Sequence, residues 1–250
     1  MHRIIFIHGL LGSKSNFTYL EKEFHEYNPL SLDLIGFGDA NKPKIKYDTN
    51  DFTRYLEQKL DFSGRTDCKY ILVGHSMGAL LAKELTIKYP EQVMKSFLVS
   101  YPFLEKEGAL RAYNYFDRKY AMGTWWTKML CQTEILYKWM FYPYFYLFRY
   151  KYRRSYMDAF KHSYHSAHGA INNTIFSDNR ENMNAVADKI ILINGAKDRS
   201  VDTTFASRFR NYRIAEMGHA FFNHERELAE IIMSNIKSLG LKKSGINEKL

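Results

Sequence analysis

Lys69-Tyr70-Ile71-Leu72-Val73-Gly74-His75-Ser76-Met77-Gly78-Ala79-Leu80-Leu81 is the stretch from which the rest of the chain can be read. Residues 69–73 are a short apolar run, which predicts a buried strand. Residues 77–89 carry Leu80, Leu81 and Leu85 and stop at Pro90, which predicts a helix. Between them stands G-x-S-x-G. In that context the turn is so tight that the serine takes a strained backbone conformation, and the flanking glycines leave room for it. The hydroxyl is then held above the sheet, at the start of the helix. The Met77 N–H points to where negative charge would develop on a bound group. A bare match also fits a glycine-rich turn with a solvent-facing serine; the strand before and the helix after favour the strained turn.

Outward from this turn, strands and helices alternate. Short apolar runs at 3–7, 29–33, 94–99 and 189–194 predict strands, and 211–215 a weaker one. Helical spacing appears at 15–26 (Phe17, Leu20, Phe24), at 49–60 (Phe52, Tyr55, Leu56, Leu60, with Asp48 or Thr49 as N-cap) and at 222–239. The alternation predicts a mostly parallel sheet with helices on both faces. Residues 102–186 contain helix-like pieces and no clear strand. They are expected to be a helical cap inserted into a core of residues 1–101 and 187–240. The Lys/Ser/Gly-rich residues 241–250 are expected to form a frayed tail.

Composition narrows the class. The 250 residues carry a formal net charge of +9, with basic residues spread along the chain and one denser run at 149–154. No zinc-ligand spacing and no RNA-binding signature accompanies that charge, so a nucleic-acid partner is not expected. The two cysteines, Cys68 and Cys131, are far apart and form no CxxC pair, which points to a reducing compartment. No apolar run approaches a membrane span, and the N-terminus enters the first strand without a signal-peptide pattern. A cytoplasmic location is expected.

A nucleophilic serine needs a base, and the base needs an orienting acid. Asp198 follows the 189–194 strand in Gly195-Ala196-Lys197-Asp198. His219 follows the 211–215 strand in Gly218-His219. Nine histidines compete for the role of base, and Asp202 lies four residues beyond Asp198. Only His219 combines a Gly-His context with the loop after the final strand. His8-Gly9-Leu10-Leu11-Gly12-Ser13, directly after the first strand, can bring the Leu10 N–H to the same place as a second oxyanion donor. His8 itself is read as a brace for that loop.

Together, His8-Gly9…Gly12, Asp33-Leu34-Ile35-Gly36-Phe37-Gly38, the Ser76 turn, Gly195…Asp198 and Gly218-His219 resemble the α/β-hydrolase superfamily. The likeness runs from the first strand to the last helix, the insertion excepted. It implies an α/β-hydrolase fold, a catalytic triad of Ser76, Asp198 and His219, and an oxyanion hole from Leu10 and Met77. There are departures. The usual N-terminal hairpin is missing, Asp39-Ala40 stands where a serine is common, and Ala79 stands where a second glycine often follows. None removes a catalytic group, and Asp33 is read as a loop brace.

The expected reaction is hydrolysis of a carboxylic ester without metal or organic cofactor. Thioester hydrolysis, C–C bond hydrolysis and a lyase step of quinone biosynthesis stay open on the same triad. The first two residues to examine for an acidic substrate are Arg111 and Arg118. A non-catalytic binding protein is the alternative of another class. Candidate substrate contacts are His75, Trp125, Trp126 and Trp139. In residues 137–156, 11 of 20 positions are aromatic and 5 are Lys or Arg, with no acid. This segment reads as a lipid-facing lid that touches an anionic membrane surface, as an aromatic pocket wall, or as a cap helix packed on the core. His162, His165 and His168 share part of a helix face, but no local Asp, Glu or Cys completes a metal site.

Overall fold

The computed structural model describes residues 2–62, 64, 68–102, 122–132, 134–178 and 180–237, with the side chains of Trp126 and of residues 130–138 left out. Arg111, Arg118, the Cys131 and Trp126 side chains and residues 241–250 lie outside what is described. Strands β1 (His2–Ile7) and β2 (Leu30–Leu32) precede helix α1 (Thr49–Leu60); then come β3 (Lys69–His75), α2 (Met77–Lys88) and β4 (Val93–Val99). Helices α3 (Trp125–Gln132), α4 (Glu134–Phe148), α5 (Arg153–Asp158) and α6 (Tyr164–Gly169) follow. The chain returns through β5 (Ile190–Gly195), α7 (Thr203–Ala206), β6 (Asn211–Ile214) and α8 (Glu225–Lys237).

The strands form one parallel sheet in the order β2-β1-β3-β4-β5-β6. The chain starts at β1, steps out to β2, then crosses back to β3 and continues the other way. The reversal falls between β1 and β3. In parallel sheets the carboxyl ends at such a reversal form a crevice. The His8 loop and the Ser76 turn are the two ends that meet there.

Period-two alternation divides the strand side chains between two cores. Ile5, Ile7, Leu72, Leu98 and Leu192 face the core covered by α1 and α2. Ile4, Phe6, Val73, Phe97 and Ile193 face the other, closed by α8 and the residues around Phe17 and Phe24. Helix α1 shows why its sequence is helical. Asp48 caps its N-terminus by accepting from the Asp51 N–H, and Phe52, Leu56 and Leu60 bury one stripe.

The helix expected over 15–26 is two 3₁₀ segments, Lys14–Phe17 and Glu21–Tyr27. Phe17, Leu20 and Phe24 are buried as their spacing implied. The Ser13 side chain accepts from the Ser15 N–H, and the Thr18 hydroxyl donates to the Ser15 carbonyl. Such local side-chain bonds compete with the α-helical ladder. The β2 strand is shorter than expected, three residues at the sheet edge.

Candidate active site

The turn at Ser76 is built by close approach. A side chain at Gly78 would run into the Ile7 carbonyl of β1, and one at Gly74 into the Gly78 carbonyl. Ser76 itself sits at φ 53°, ψ −120°. This left-handed conformation is costly for a non-glycine residue, by roughly 1–3 kcal/mol, and persists where its surroundings over-determine it. Here the Ser76 N–H donates to the Val99 carbonyl, and the Ser76 carbonyl accepts from the Ala79 N–H. The residue is 9% exposed, at the carboxyl edge of the sheet.

Two loops bring the partners. Gly195 ends β5, and the Lys197 N–H donates to the Met217 carbonyl, which ties the Asp198 loop to the His219 loop. The Ser76 hydroxyl donates to His219 Nε2 over 2.9 Å. His219 Nδ1–H donates to Asp198 Oδ2, also over 2.9 Å. A carboxylate only accepts, so this bond sets the tautomer that leaves Nε2 free to take a proton. The Asp198 side chain is 1% exposed and that of His219 is 42% exposed, so the carboxylate is shielded while the imidazole reaches solvent. Burial alone would raise the Asp198 pKa. Hydrogen bonds and charge from His219, with bonds from Ser200, outweigh it and hold the carboxyl below its ordinary value.

Ser200 was not foreseen. Its hydroxyl donates to Asp198 Oδ1 over 2.6 Å and lies 3.0 Å from His219 Nδ1, and its N–H also donates to Asp198 Oδ1. Asp-x-Ser in a loop is a turn in which the Asp side chain accepts from the backbone two residues on. That pattern was the signal in the sequence. Asp202, the competing acid, caps α7 instead.

The expected oxyanion donors are the backbone N–H groups of Met77 and Leu10. Met77 opens α2, so its N–H belongs to the first turn and has no acceptor within the helix. A Cβ built on Gly9 would stand 3.0 Å from Ser76 Cβ, so the turn that carries the Leu10 N–H touches the serine. Neither N–H donates to a protein group among the described residues. His8 braces this turn. It is fully buried, its Nδ1–H donates to the Gly9 carbonyl, and its Nε2 accepts from the Leu34 N–H. Burial pushes its pKa down to about 4, so it stays neutral. Asp33 also acts as a brace, accepting from the Lys14 and Asp39 N–H groups.

His75, expected among the substrate contacts, is 9% exposed and lies behind the base. Its Nε2–H donates to the His219 carbonyl over 2.8 Å, and its ring meets Phe221 edge-on. Its Nδ1 is buried without a partner among the described residues, and burial lowers its pKa to about 4. Trp125 and Trp139 have most of their surface exposed. His162 pairs with Phe37 in a β-bridge, and His168 stacks on Tyr164. No group of three potential metal ligands forms among the described residues.

A hydroxyl, an imidazole and a shielded carboxylate in line, beside two backbone donors, can carry out nucleophilic acyl transfer. Sequence comparison gives a family. The profile of the alpha/beta hydrolase family matches residues 4–231. The chain is 33% identical over 106 residues to a probable lysophospholipase, BODYGUARD 4 of Arabidopsis thaliana, covering 40% of this chain and 25% of that one. It is 30% identical over 102 residues to Epoxide hydrolase 4 of Homo sapiens, covering 40% and 28%. These alignments therefore span about a quarter of the relatives' length. Among solved structures, an esterase from Exiguobacterium antarcticum superimposes with a TM-score of 0.68 at 16% identity, covering 95% of this chain and 92% of that one. The chain belongs to the alpha/beta hydrolase family.

Proposed function

We propose that this chain is a serine hydrolase that cleaves carboxylic esters. The observation that carries the reading is the unbroken line Ser76 Oγ–H to His219 Nε2, His219 Nδ1–H to Asp198. Ser76 Oγ attacks the ester carbonyl carbon while its proton passes to His219 Nε2. Asp198 holds the imidazole and stabilises the charge it gains. The Met77 and Leu10 N–H groups receive the oxyanion. Collapse expels the alcohol, which leaves with the proton from His219, and the acyl group stays on Ser76. Water, deprotonated by His219, then attacks the acyl carbon, releases the acid and restores the serine. This chain supplies every group the cycle uses.

We read residues 102–186 as the cap over this site, with the core in 1–101 and 187–240. Its described part is helical and returns to the sheet through 180–189. Two similar proteins bear names that denote ester cleavage, a probable lysophospholipase and an esterase. Cys68 is buried and unpaired, which fits a reducing compartment, and we place the protein in the cytoplasm. Among the described residues, no helix is long and apolar enough to cross a membrane.

A series of p-nitrophenyl esters of increasing acyl length tests this. Turnover is expected for at least part of the series. Ser76→Ala is expected to lose about a thousandfold or more in kcat, with an unchanged melting temperature. Turnover that survives Ser76→Ala would show that another group does the chemistry.

A further inference from the structure

All eleven large hydrophobic side chains that are exposed among the described residues lie between Met122 and Tyr150, and nine of them between Trp139 and Tyr150. Scattered singly, such side chains would need no explanation; gathered on one element, they mark an interaction surface. Their arrangement tells what kind. A protein groove takes one stripe of a helix, at i, i+3, i+4 and i+7. Helix α4 instead exposes the consecutive residues 139–142 and 146–148, with Trp139 at 71% and Phe148 at 70%, while Phe145 packs on Tyr156. An exposed apolar surface wider than one groove-binding stripe suits a lipid surface. Its 15 residues make a rod of about 22 Å, shorter than the roughly 30 Å hydrocarbon layer of a bilayer. Such a helix lies in the interface rather than across it.

The charge beside it names the lipid. Arg149, Lys151, Arg153 and Arg154 follow the helix directly, and residues 137–156 contain no acid. Lys151 is paired with Glu225, and Arg154 lies 3.8 Å from Asp158. Arg149 and Arg153 have no ion-pair partner among the described residues, and the Arg153 guanidinium sits over the Tyr146 and Tyr150 rings. Tyrosine and tryptophan rings settle at the headgroup level, and basic residues beside them meet anionic headgroups.

The patch is also joined to the site. Phe145 stacks on Tyr156 at 5.2 Å, and Tyr156 meets Phe222 at 5.9 Å. Phe222 meets Phe221 at 5.6 Å, and Phe221 touches His75 behind the base. We propose that α4 and the basic turn after it dock into the headgroup layer of an anionic phospholipid bilayer, so that Ser76 works on ester-bearing amphiphiles taken from that surface. The docking stands on the patch alone; the substrate class rests on the ester-hydrolase reading.

All three tryptophans, Trp125, Trp126 and Trp139, lie in this region, so intrinsic fluorescence reads the event directly. The full chain is mixed with phosphatidylcholine vesicles, with or without phosphatidylglycerol, and followed by emission and co-sedimentation. Expected are a blue shift and co-sedimentation with the anionic vesicles at low salt, at least about tenfold weaker in high salt or on neutral vesicles. Arg149→Glu/Arg153→Glu and Leu147→Ser/Phe148→Ser are each expected to weaken binding about tenfold or more. Turnover of a soluble short-chain ester is expected to be kept in both. No binding at low salt overturns the proposal, as does equal binding to neutral vesicles or wild-type binding by the folded variants. Sedimentation velocity that shows a wild-type dimer, and a monomer for Leu147→Ser/Phe148→Ser, would assign the patch to a second copy and overturn it too. If a variant fails to fold, the lipid and salt arms on the wild type still decide. Binding without ester turnover would leave the docking standing and remove the substrate class.

Discussion

His219 owes its position to two bonds on opposite sides. Asp198 holds its ring through Nδ1, and His75 holds its backbone carbonyl. Both His75 and His8 are buried, and burial lowers each pKa from 6.5 to about 4. An unfolded chain takes up protons at these positions as pH falls below about 6.5, while the folded chain refuses them until about 4. Stability is therefore fully present above 6.5 and is lost as pH falls toward 4, on the order of 3 kcal/mol per residue. Urea midpoints measured between pH 7 and pH 4.5 should fall steadily, and His75→Gln should flatten that slope. An identical slope in the variant would show that His75 is not held neutral. At this scale the sequence was most legible for the meeting of Ser76, Asp198 and His219, because each position is written in a local context: a turn, or a loop after a strand. Ser200 was harder, since a serine two residues past an aspartate is common, and only the fold shows that this one sits against the ring of the base.

Among the elements, α2 ties Ser76 to the segment between β4 and β5. Ser76 caps it, and two turns on, on the same face, Lys83 is wholly buried against Asp178. The other Asp178 oxygen accepts from the Tyr101 hydroxyl, where the chain leaves β4. Burial, together with the charge of Asp178, raises the Tyr101 pKa well above its ordinary value. The carboxylate thus joins the exit from the sheet, the return toward β5 and the helix behind the nucleophile. Removing one member strands a buried charge. Lys83→Met should cost about 3–5 kcal/mol in urea unfolding, and Lys83→Met/Asp178→Leu should recover much of it. A cost below about 1 kcal/mol for the single variant would show the cluster is not needed. A lysine in a helix reads as a solvated position, and nothing local to Lys83 announces a partner 95 residues away. Residues 15–26 were misread for a related reason. The apolar spacing was right, but side-chain bonds from Ser13 and Thr18 decided the kind of helix.

Over the whole molecule, the reversal of strand order between β1 and β3 explains why residues from four distant stretches meet. Leu10, Ser76, Asp198 and His219 each follow the carboxyl end of a parallel strand, and all those ends share one edge. Alternating strands and helices made that architecture legible. The segment between β4 and β5 was less so, because a run of aromatics fits a packed helix, a pocket wall and a lipid face equally well, and which of those rings are exposed is visible only in the fold. The central claim is that this edge makes Ser76 a nucleophile. A fluorophosphonate probe followed by peptide mass spectrometry tests it most directly. The account predicts one adduct, on Ser76, abolished in Ser76→Ala and strongly slowed in His219→Ala. A folded wild type that takes no label, or an adduct that persists in Ser76→Ala, would contradict it.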